Sequence, residues 1–390
     1  MTDETEALTA LARDVFRHLT SDAPTRAQMA SRTWPVLAQT GFAGLSVPEE
    51  HGGSGGTLAQ LVAVLQIAGA TALDAPLAET AMLAGWTLSA SGRACEGGPY
   101  AATLSSELTI EPRGDRWLLT GAIPKVPWAH EAAHLVVVAP HDGSTLVTWL
   151  RRDQYNTARH VNLAGEPRDD VILAGQPAAG RLHHGMGLHD AFRRRGALAR
   201  AALMAGAARQ ALDASVSYAT QRVQFGRPIA SFQIVESYLA EMAAEVTVLD
   251  RALAAATENM QAGRESALIS LAAAKVQAGL TAACVARLAH QVHGAIGLTR
   301  EHSLHAWTVR LWAWRDEYGD EPYWSAILAE KLLASSRTEA ELWRQLSNVQ
   351  PGTAGTLFIP SRRTPRTGLP PPRGTWSGSR RHARNAACRS

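Results

Sequence analysis

Seven apolar residues after Pro228 constrain this chain most: Phe232, Val235, Leu239, Met242, Val246, Leu249 and Leu253 step by 3, 4, 3, 4, 3 and 4 positions. That rhythm places all seven on one stripe of an α-helix, and a stripe that apolar must be buried against other helices. Ser231 stands where an N-cap belongs. Residues 199–220 and 266–290 are Ala-rich, Leu-spaced and long enough for two further bundle helices, with small side chains that let helices approach closely. A helical bundle is therefore predicted for the second half of the chain.

The rest of the chain changes character twice. In residues 1–95, Leu8, Leu11, Val15 and Leu19 recur at helical spacing, and 58–68 and 76–89 are rich in Ala and Leu. Between them, 41–56 holds six glycines and Pro48, a loop. Residues 117–120, 135–139, 145–149 and 171–173 are short β-prone runs parted by Gly, Pro and Asp, which predicts an antiparallel sheet or small barrel. No repeat of 20–50 residues is present. The predicted class is α+β multidomain: a helical domain at 1–95, a β domain at 96–185, a helical bundle at 186–345, and an Arg/Pro-rich disordered tail at 346–390.

Composition removes several alternatives. The chain has 38 Lys+Arg against 35 Asp+Glu. Eight of those arginines lie beyond Gln350 with no acidic residue among them, so residues 1–350 carry 30 basic against 35 acidic groups. The body is mildly acidic, and no nucleic-acid partner is expected. No run approaches about 18 uninterrupted apolar residues, so no membrane span is expected. Residues 1–8 are acidic and polar, unlike a signal peptide. Cys95, Cys284 and Cys388 form no CxxC pair and no disulfide framework, which fits a reducing cytoplasm.

Motifs divide into weak and specific. The glycines at 52–56 lack GxGxxG spacing and no Gly-Lys-Ser/Thr follows, so a structural turn is the better reading. The pairs His183/His184, His290/His293 and His302/His305 have no HExxH and no carboxylate at ligand spacing, so no metal is expected. No GxSxG elbow supports a serine hydrolase. Arg222-Val-Gln-Phe-Gly-Arg-Pro-Ile229 allows two readings: Arg222 and Arg227 grip a pyrophosphate, or they cap a helix C-terminus. Gln291-Val-His-Gly-Ala-Ile-Gly297 is either a turn that lets backbone approach a ligand or an ordinary glycine helix stop. Residues 307–321 crowd Trp, Arg and acids together; Asp316, Glu317, Asp320 and Glu321 are the densest acidic group of the C-terminal half.

Taken together, four segments resemble the flavin-dependent acyl-CoA dehydrogenases. Val47-Pro-Glu-Glu-His-Gly-Gly53 is similar to the PEEYGG loop, and Gly121–Ala129 looks like the flavin-facing GxKxWITNA segment. Residues 222–233 are close to RxQFGxPIxxFQ, and 291–297 to QxxGGxG. The resemblance covers about residues 1–345. It implies an N-terminal helical domain, a middle β domain and a C-terminal four-helix bundle, with FAD between the β domain and the bundle and reaching a neighbouring subunit. On it, Arg222, Phe225, Gly226 and Gln233 are expected at the FAD, with Arg222 and Gln233 on its pyrophosphate and adenine side. Gln291, Val292, His293, Gly294 and Ala295 are expected to line another subunit's FAD.

The implied reaction is α,β-dehydrogenation of an acyl-CoA thioester: a Glu removes the Cα proton and flavin N5 accepts the Cβ hydride. The implied partners are an acyl-CoA, an electron-transfer flavoprotein or similar acceptor, and a second copy or related dehydrogenase chain. The sequence departs from the family pattern at the base. Tyr318, followed by Gly319, stands in the slot of the usual Glu, and Glu317 is one position early. The other slot used in the family falls at Gly196 and Ala197. In the flavin-facing segment, Ile123, Lys125 and Pro127 replace Lys, Trp and Thr. Glu317 is the candidate catalytic base. Two other readings follow from the same resemblance: a non-catalytic partner subunit of a heteromeric dehydrogenase, and a flavin-dependent oxygenase on the same fold.

Overall fold

In the computed structural model, residues 3–20, 26–95, 97–299 and 301–335 are described. The tail expected at 346–390 lies outside them. The N-terminal helices are α1 (Asp3–Thr20), α2 (Arg26–Gln39) and α3 (Leu58–Ala70). Thr57 and Gln60 close a reciprocal capping box at the start of α3, satisfying backbone donors the helix cannot. Ala78–Gly85 then winds as a π-helix with every residue buried, and runs into α4 (Trp86–Ala90). A π-helix this long is rare and often accompanies a functional site; here it carries the buried Glu79.

The middle region has seven strands in one sheet: β1 (Tyr100–Leu104), β2 (Thr109–Arg113), β3 (Arg116–Pro127), β4 (His134–His141), β5 (Ser144–Arg151), β6 (Asn156–Ala158) and β7 (Arg168–His183). The order is β1-β4-β5-β7-β3-β2, with β6 also on β7. All four β-prone runs of the sequence lie in strands. The expectation of a purely antiparallel sheet needs correction, because β1 pairs β4 in parallel. The chain between them passes through β2 and β3, long enough for a crossover that a hairpin cannot make.

The bundle consists of α5 (Gly187–Gln221), α6 (Gln233–Gln261), α7 (Ala267–His293), α8 (Leu304–Arg315) and α9 (Glu321–Ser335), with a small hairpin of β8 (Val223–Gln224) and β9 (Arg227–Pro228) between α5 and α6. One apolar core runs from α1 and α3 through α5 to α7 and α8. A second, smaller core sits under the sheet. Where α3 and α5 cross, a Cβ on Gly206 would come within 1.8 Å of the Gln66 carbonyl, so only glycine permits that approach. α7 is apolar and long enough to cross a membrane by composition, yet it packs among α5, α6, α8 and α9 as a core helix.

The heptad seam lies on α6, but unevenly. Met242, Val246, Leu249 and Leu253 are fully buried, while Phe232, Val235 and Leu239 at its start are only half covered. Ser231 is not the N-cap. Phe232 occupies that position without a side-chain cap, and the Ser231 hydroxyl donates to the Pro228 carbonyl at 2.7 Å.

Candidate active site

A cavity of about 840 Å³ opens where the sheet meets the bundle. Thr103 and Leu104 at the end of β1, Lys125 and Pro127 of β3, Asp170 of β7, Arg193 of α5 and the turn Asp316–Tyr318 line it. The β3 wall is distorted. Its register against β7 shifts between Ile123 and Val126, and Lys125 and Trp128 hold left-handed backbone at φ 56° and 60°. Non-glycine residues adopt that region only where their surroundings impose it. Two adjacent acids of β7 supply the restraint. Asp170 accepts the Lys125 amide at 3.0 Å, and Asp169 accepts the His130 amide at 2.9 Å and contacts His130 Nδ1 at 2.8 Å. This stretch is the Gly121–Ala129 segment singled out in the sequence.

Glu317 lies at the floor of the cavity, with its side chain 20% exposed. Its Oε1 accepts from Arg168 Nε at 2.8 Å and Nη2 at 2.6 Å, and its Oε2 accepts from Arg200 Nε at 2.5 Å. Arg200 also donates to Glu79 of the π-helix at 2.5 Å. Arg168 also donates to Glu166 at 3.1 Å, and Glu166 accepts from Trp314 Nε1 and Asn162 at 2.9 Å each. Arg310 stands 3.3 Å from Glu166. The sheet, the N-terminal helices and the bundle thus meet in one buried ion network.

Three members of this network, Arg200, Arg168 and Glu166, are held in their charged forms by their neighbours. Burial works against the cation of Arg200, but Glu317 and then Glu79 outweigh it and keep its pKa well above the ordinary arginine value. Burial likewise opposes Arg168, and Glu317 and Glu166 override it. Glu166 is opposed by burial and rescued by Arg168 and Arg310, which hold its carboxyl below the usual carboxylate range. A carboxylate offers about four acceptor positions, and three of those on Glu317 are taken by guanidinium donors. Behind the network, the space between Leu73, Ala78, Trp128, Leu203 and Trp314 shrinks to about 20 Å³. Sequence reasoning found Glu317 but missed Arg168, Arg200, Glu79, Glu166 and Asp169–Asp170; no local spacing signals a cluster assembled from five elements.

The turn that presents Glu317 is itself forced. Tyr318 has φ 58°, and its ring fills the space above Gly196 of α5, where a Cβ would come within 2.4 Å of it. Tyr318 and Gly196, the positions where the resemblance led a base to be expected, pack against each other.

The remaining site residues of the sequence analysis gather elsewhere. Arg222 caps the C-terminus of α5, Phe225 and Gly226 form the two-residue turn of the β8–β9 hairpin, and Gln233 opens α6. Phe225 is left-handed at φ 52° and 93% exposed. Arg227 lies 4.3 Å above the Phe232 ring, so it stacks rather than capping a helix. Gln291, Gly294 and Ala295 are exposed at the end of α7, whereas Val292 and His293 are buried. The His293 ring stacks on Tyr218 at 4.6 Å and turns away from the surface. Arg200 and Arg222 sit 22 positions apart on one helix, roughly 33 Å at 1.5 Å per residue. The motif residues and the cavity are therefore at different ends of α5.

The acyl-CoA dehydrogenase N-terminal-domain family matches residues 2–94 and its C-terminal-domain family matches residues 183–320. This chain belongs to the acyl-CoA dehydrogenases. The acyl-CoA dehydrogenase IpdE2 of Mycolicibacterium smegmatis is 29% identical over 323 residues, covering 80% of this chain and 93% of that protein. IpdE2 of Mycobacterium tuberculosis is 30% identical, covering 74% and 84%. Among solved structures, the ChsE4–ChsE5 complex from Mycobacterium tuberculosis superposes with a TM-score of 0.78 at 22% identity, covering 87% of this chain and 99% of that one. As an acyl-CoA dehydrogenase, the chain is an oxidoreductase acting on CH–CH bonds, and FAD is its cofactor.

The residues present fit FAD by halves. The cavity of this acyl-CoA dehydrogenase is large enough for a flat heteroaromatic ring and offers cationic Lys125 and Arg193 beside the apolar Leu104, Pro127 and Ala313. The exposed Arg222, Gln233 and Gln291 offer donors for phosphates and an adenine, but at the far end of the bundle.

Proposed function

We propose that this chain works in an oligomeric, FAD-dependent dehydrogenase that takes a Cα proton and a Cβ hydride from an acyl-CoA thioester. The separation of the two half-sites along α5 carries this reading. A cavity at one end of the helix and cofactor-holding residues at the other form a complete site only when two chains meet. In that arrangement Arg222, Phe225, Gly226 and Gln233 meet one FAD, with Arg222 and Gln233 on its phosphate and adenine side, while the exposed Gln291, Gly294 and Ala295 line another subunit's FAD with Val292 and His293 packed behind them. Lys125 and the clamped β3 wall orient the flavin side. FAD held there would supply the hydride acceptor, its flavin N5.

Glu317 is the base candidate. It faces the cavity, it is largely shielded from water, and one acceptor position on Oε2 is not taken by an arginine. To receive the Cα proton it must keep that position toward the thioester while Arg168 and Arg200 hold the other three. The acyl-CoA and an electron-transfer flavoprotein or similar acceptor are the proposed partners. The test is anaerobic addition of acyl-CoAs to the purified flavoprotein. Bleaching of the flavin band by one chain class in wild type, and its loss in Glu317→Gln, are expected.

A second reading is favoured by a specific observation. Two arginines hold three of the acceptor positions of Glu317, and the space beside Glu79, Glu166, Arg168 and Arg200 is about 20 Å³. Both suit a subunit that completes a related chain's FAD site without performing the chemistry itself. Flavin bleaching that appears only on co-expression with a second dehydrogenase chain, and survives Glu317→Gln, would establish this second reading.

A further inference from the structure

α7 is the most apolar long helix of the bundle, yet it buries one ammonium. Lys275 is 1% exposed. Its Nζ donates to the Arg315 carbonyl at 2.5 Å and to the Gly319 carbonyl at 2.7 Å. Among the described residues no carboxylate lies at ion-pairing distance from it. The nearby Glu321 is held by Arg315 at 2.5 Å. Burial pushes the Lys275 pKa down to about 8; Glu321, Glu317 and Asp316 offset part of this, and Arg200 adds to it. Those four act on it from α5, from the 316–320 turn and from α9, and Arg315 of α8, whose carbonyl it bonds, is paired to Glu321. For the fold alone, an apolar side chain of this length costs less than a buried charge.

The two carbonyls that Lys275 reaches are the two ends of one turn. α8 stops at Arg315, whose carbonyl is an orphan of the helix C-terminus, and α9 starts at Glu321. A cation there also meets the negative end of the helix dipole. Between the two carbonyls stand Glu317, which faces the cavity, and Tyr318, whose left-handed backbone must be imposed from outside. We propose that Lys275 is a positioning residue that ties off the 316–319 turn from α7 and so fixes Glu317 between the cavity and the Arg168/Arg200 pair. It touches no substrate; it acts through the turn.

The test is amide hydrogen exchange on the full chain as the flavoprotein, comparing wild type with Lys275→Met. Exchange in the 316–320 turn accelerates about tenfold, the loss expected for two charge-assisted hydrogen bonds partly replaced by water. The melting temperature stays level or rises, because the buried charge is gone. The rate of flavin reduction by acyl-CoA falls together with turn protection. This kinetic arm rests on the dehydrogenase reading, whereas the exchange arm does not. A wild type that no acyl-CoA reduces therefore defeats that reading and leaves the exchange result standing. Unchanged turn exchange overturns the proposal, as does a lowered melting temperature with protection lost throughout α7, the mark of an ordinary core residue. If Lys275→Met does not fold, wild type decides. Protection factors of the turn that drop severalfold between about pH 7 and about pH 10, with α6 unaffected, support the assignment, and a flat profile overturns it.

Discussion

The two ends of α5 obey opposite rules. Near Arg200, the charges of Glu79, Glu317, Arg168 and Glu166 close on one another below the surface. Near Arg222, cationic and apolar groups point outward, with Phe225 93% and Leu298 76% exposed and the first turns of the α6 seam half covered. One end is finished by the chain's own folding, and the other is left for something else to finish. An exposed aromatic on a left-handed hairpin turn is costly for a lone chain and makes sense only where it is used.

That contrast can be broken most sharply at Arg200. Replacing it with Met strands Glu79 and one oxygen of Glu317, both away from water, and is expected to cost about 3–5 kcal/mol, read from urea denaturation. Arg222→Ala at the other end is expected to change subunit stability by less than about 0.5 kcal/mol, while lowering the flavin content of the purified protein. A large stability loss at Arg222, or none at Arg200, would abolish the distinction between the two ends.

Phe225→Asp sharpens the comparison next. It places a charge on the exposed hairpin and is expected to shift sedimentation toward smaller species, with far-UV circular dichroism unchanged. Retention of the assembly would remove the hairpin from the interface.

Acid is expected to act on the finished end alone. The Glu166 carboxyl is held below its ordinary value in the folded protein, so its stabilisation is complete above the unfolded value and is lost as pH falls through the folded one. The stability of wild type should therefore fall steeply below about pH 4. Glu166→Gln starts lower and has a shallower acid limb, as followed by urea midpoints across pH.

The smallest effect concerns caps. Ser231→Ala is expected to cost less than about 0.5 kcal/mol because the hydroxyl caps nothing, whereas Thr57→Ala costs about 1 kcal/mol by opening a true capping box. Equal losses in thermal unfolding would restore Ser231 as a helix start.

Much of the architecture is legible in the chain because it is periodic or compositional. The 3–4 rhythm of Phe232 to Leu253 announces a bundle helix, and the β-prone runs at 117–173 announce strands. The failures are instructive. Ser231 looks like a cap, but the chain turns one residue later and spends its hydroxyl on Pro228. The parallel pairing of β1 with β4 leaves no mark in either strand, because a strand's pattern records which face is buried and not the direction of its neighbour. The ionic site was legible only as a cluster of acids, in which the resemblance singled out Glu317, one position before the expected base, without its partners.

By itself, then, the sequence determined the helical–stranded–helical order, the seam of α6 and the family. All of these rest on residues near one another in the chain or on motifs with fixed spacing. Only the tertiary structure decided what Glu317 meets and which residues share an end of the molecule. Arg168 and Arg200 lie 149 and 117 positions away from Glu317, and no periodicity encodes a contact of that span. The distance between the half-sites was decided by α5, because 35 residues of unbroken helix form a rod of about 52 Å whose two ends cannot meet.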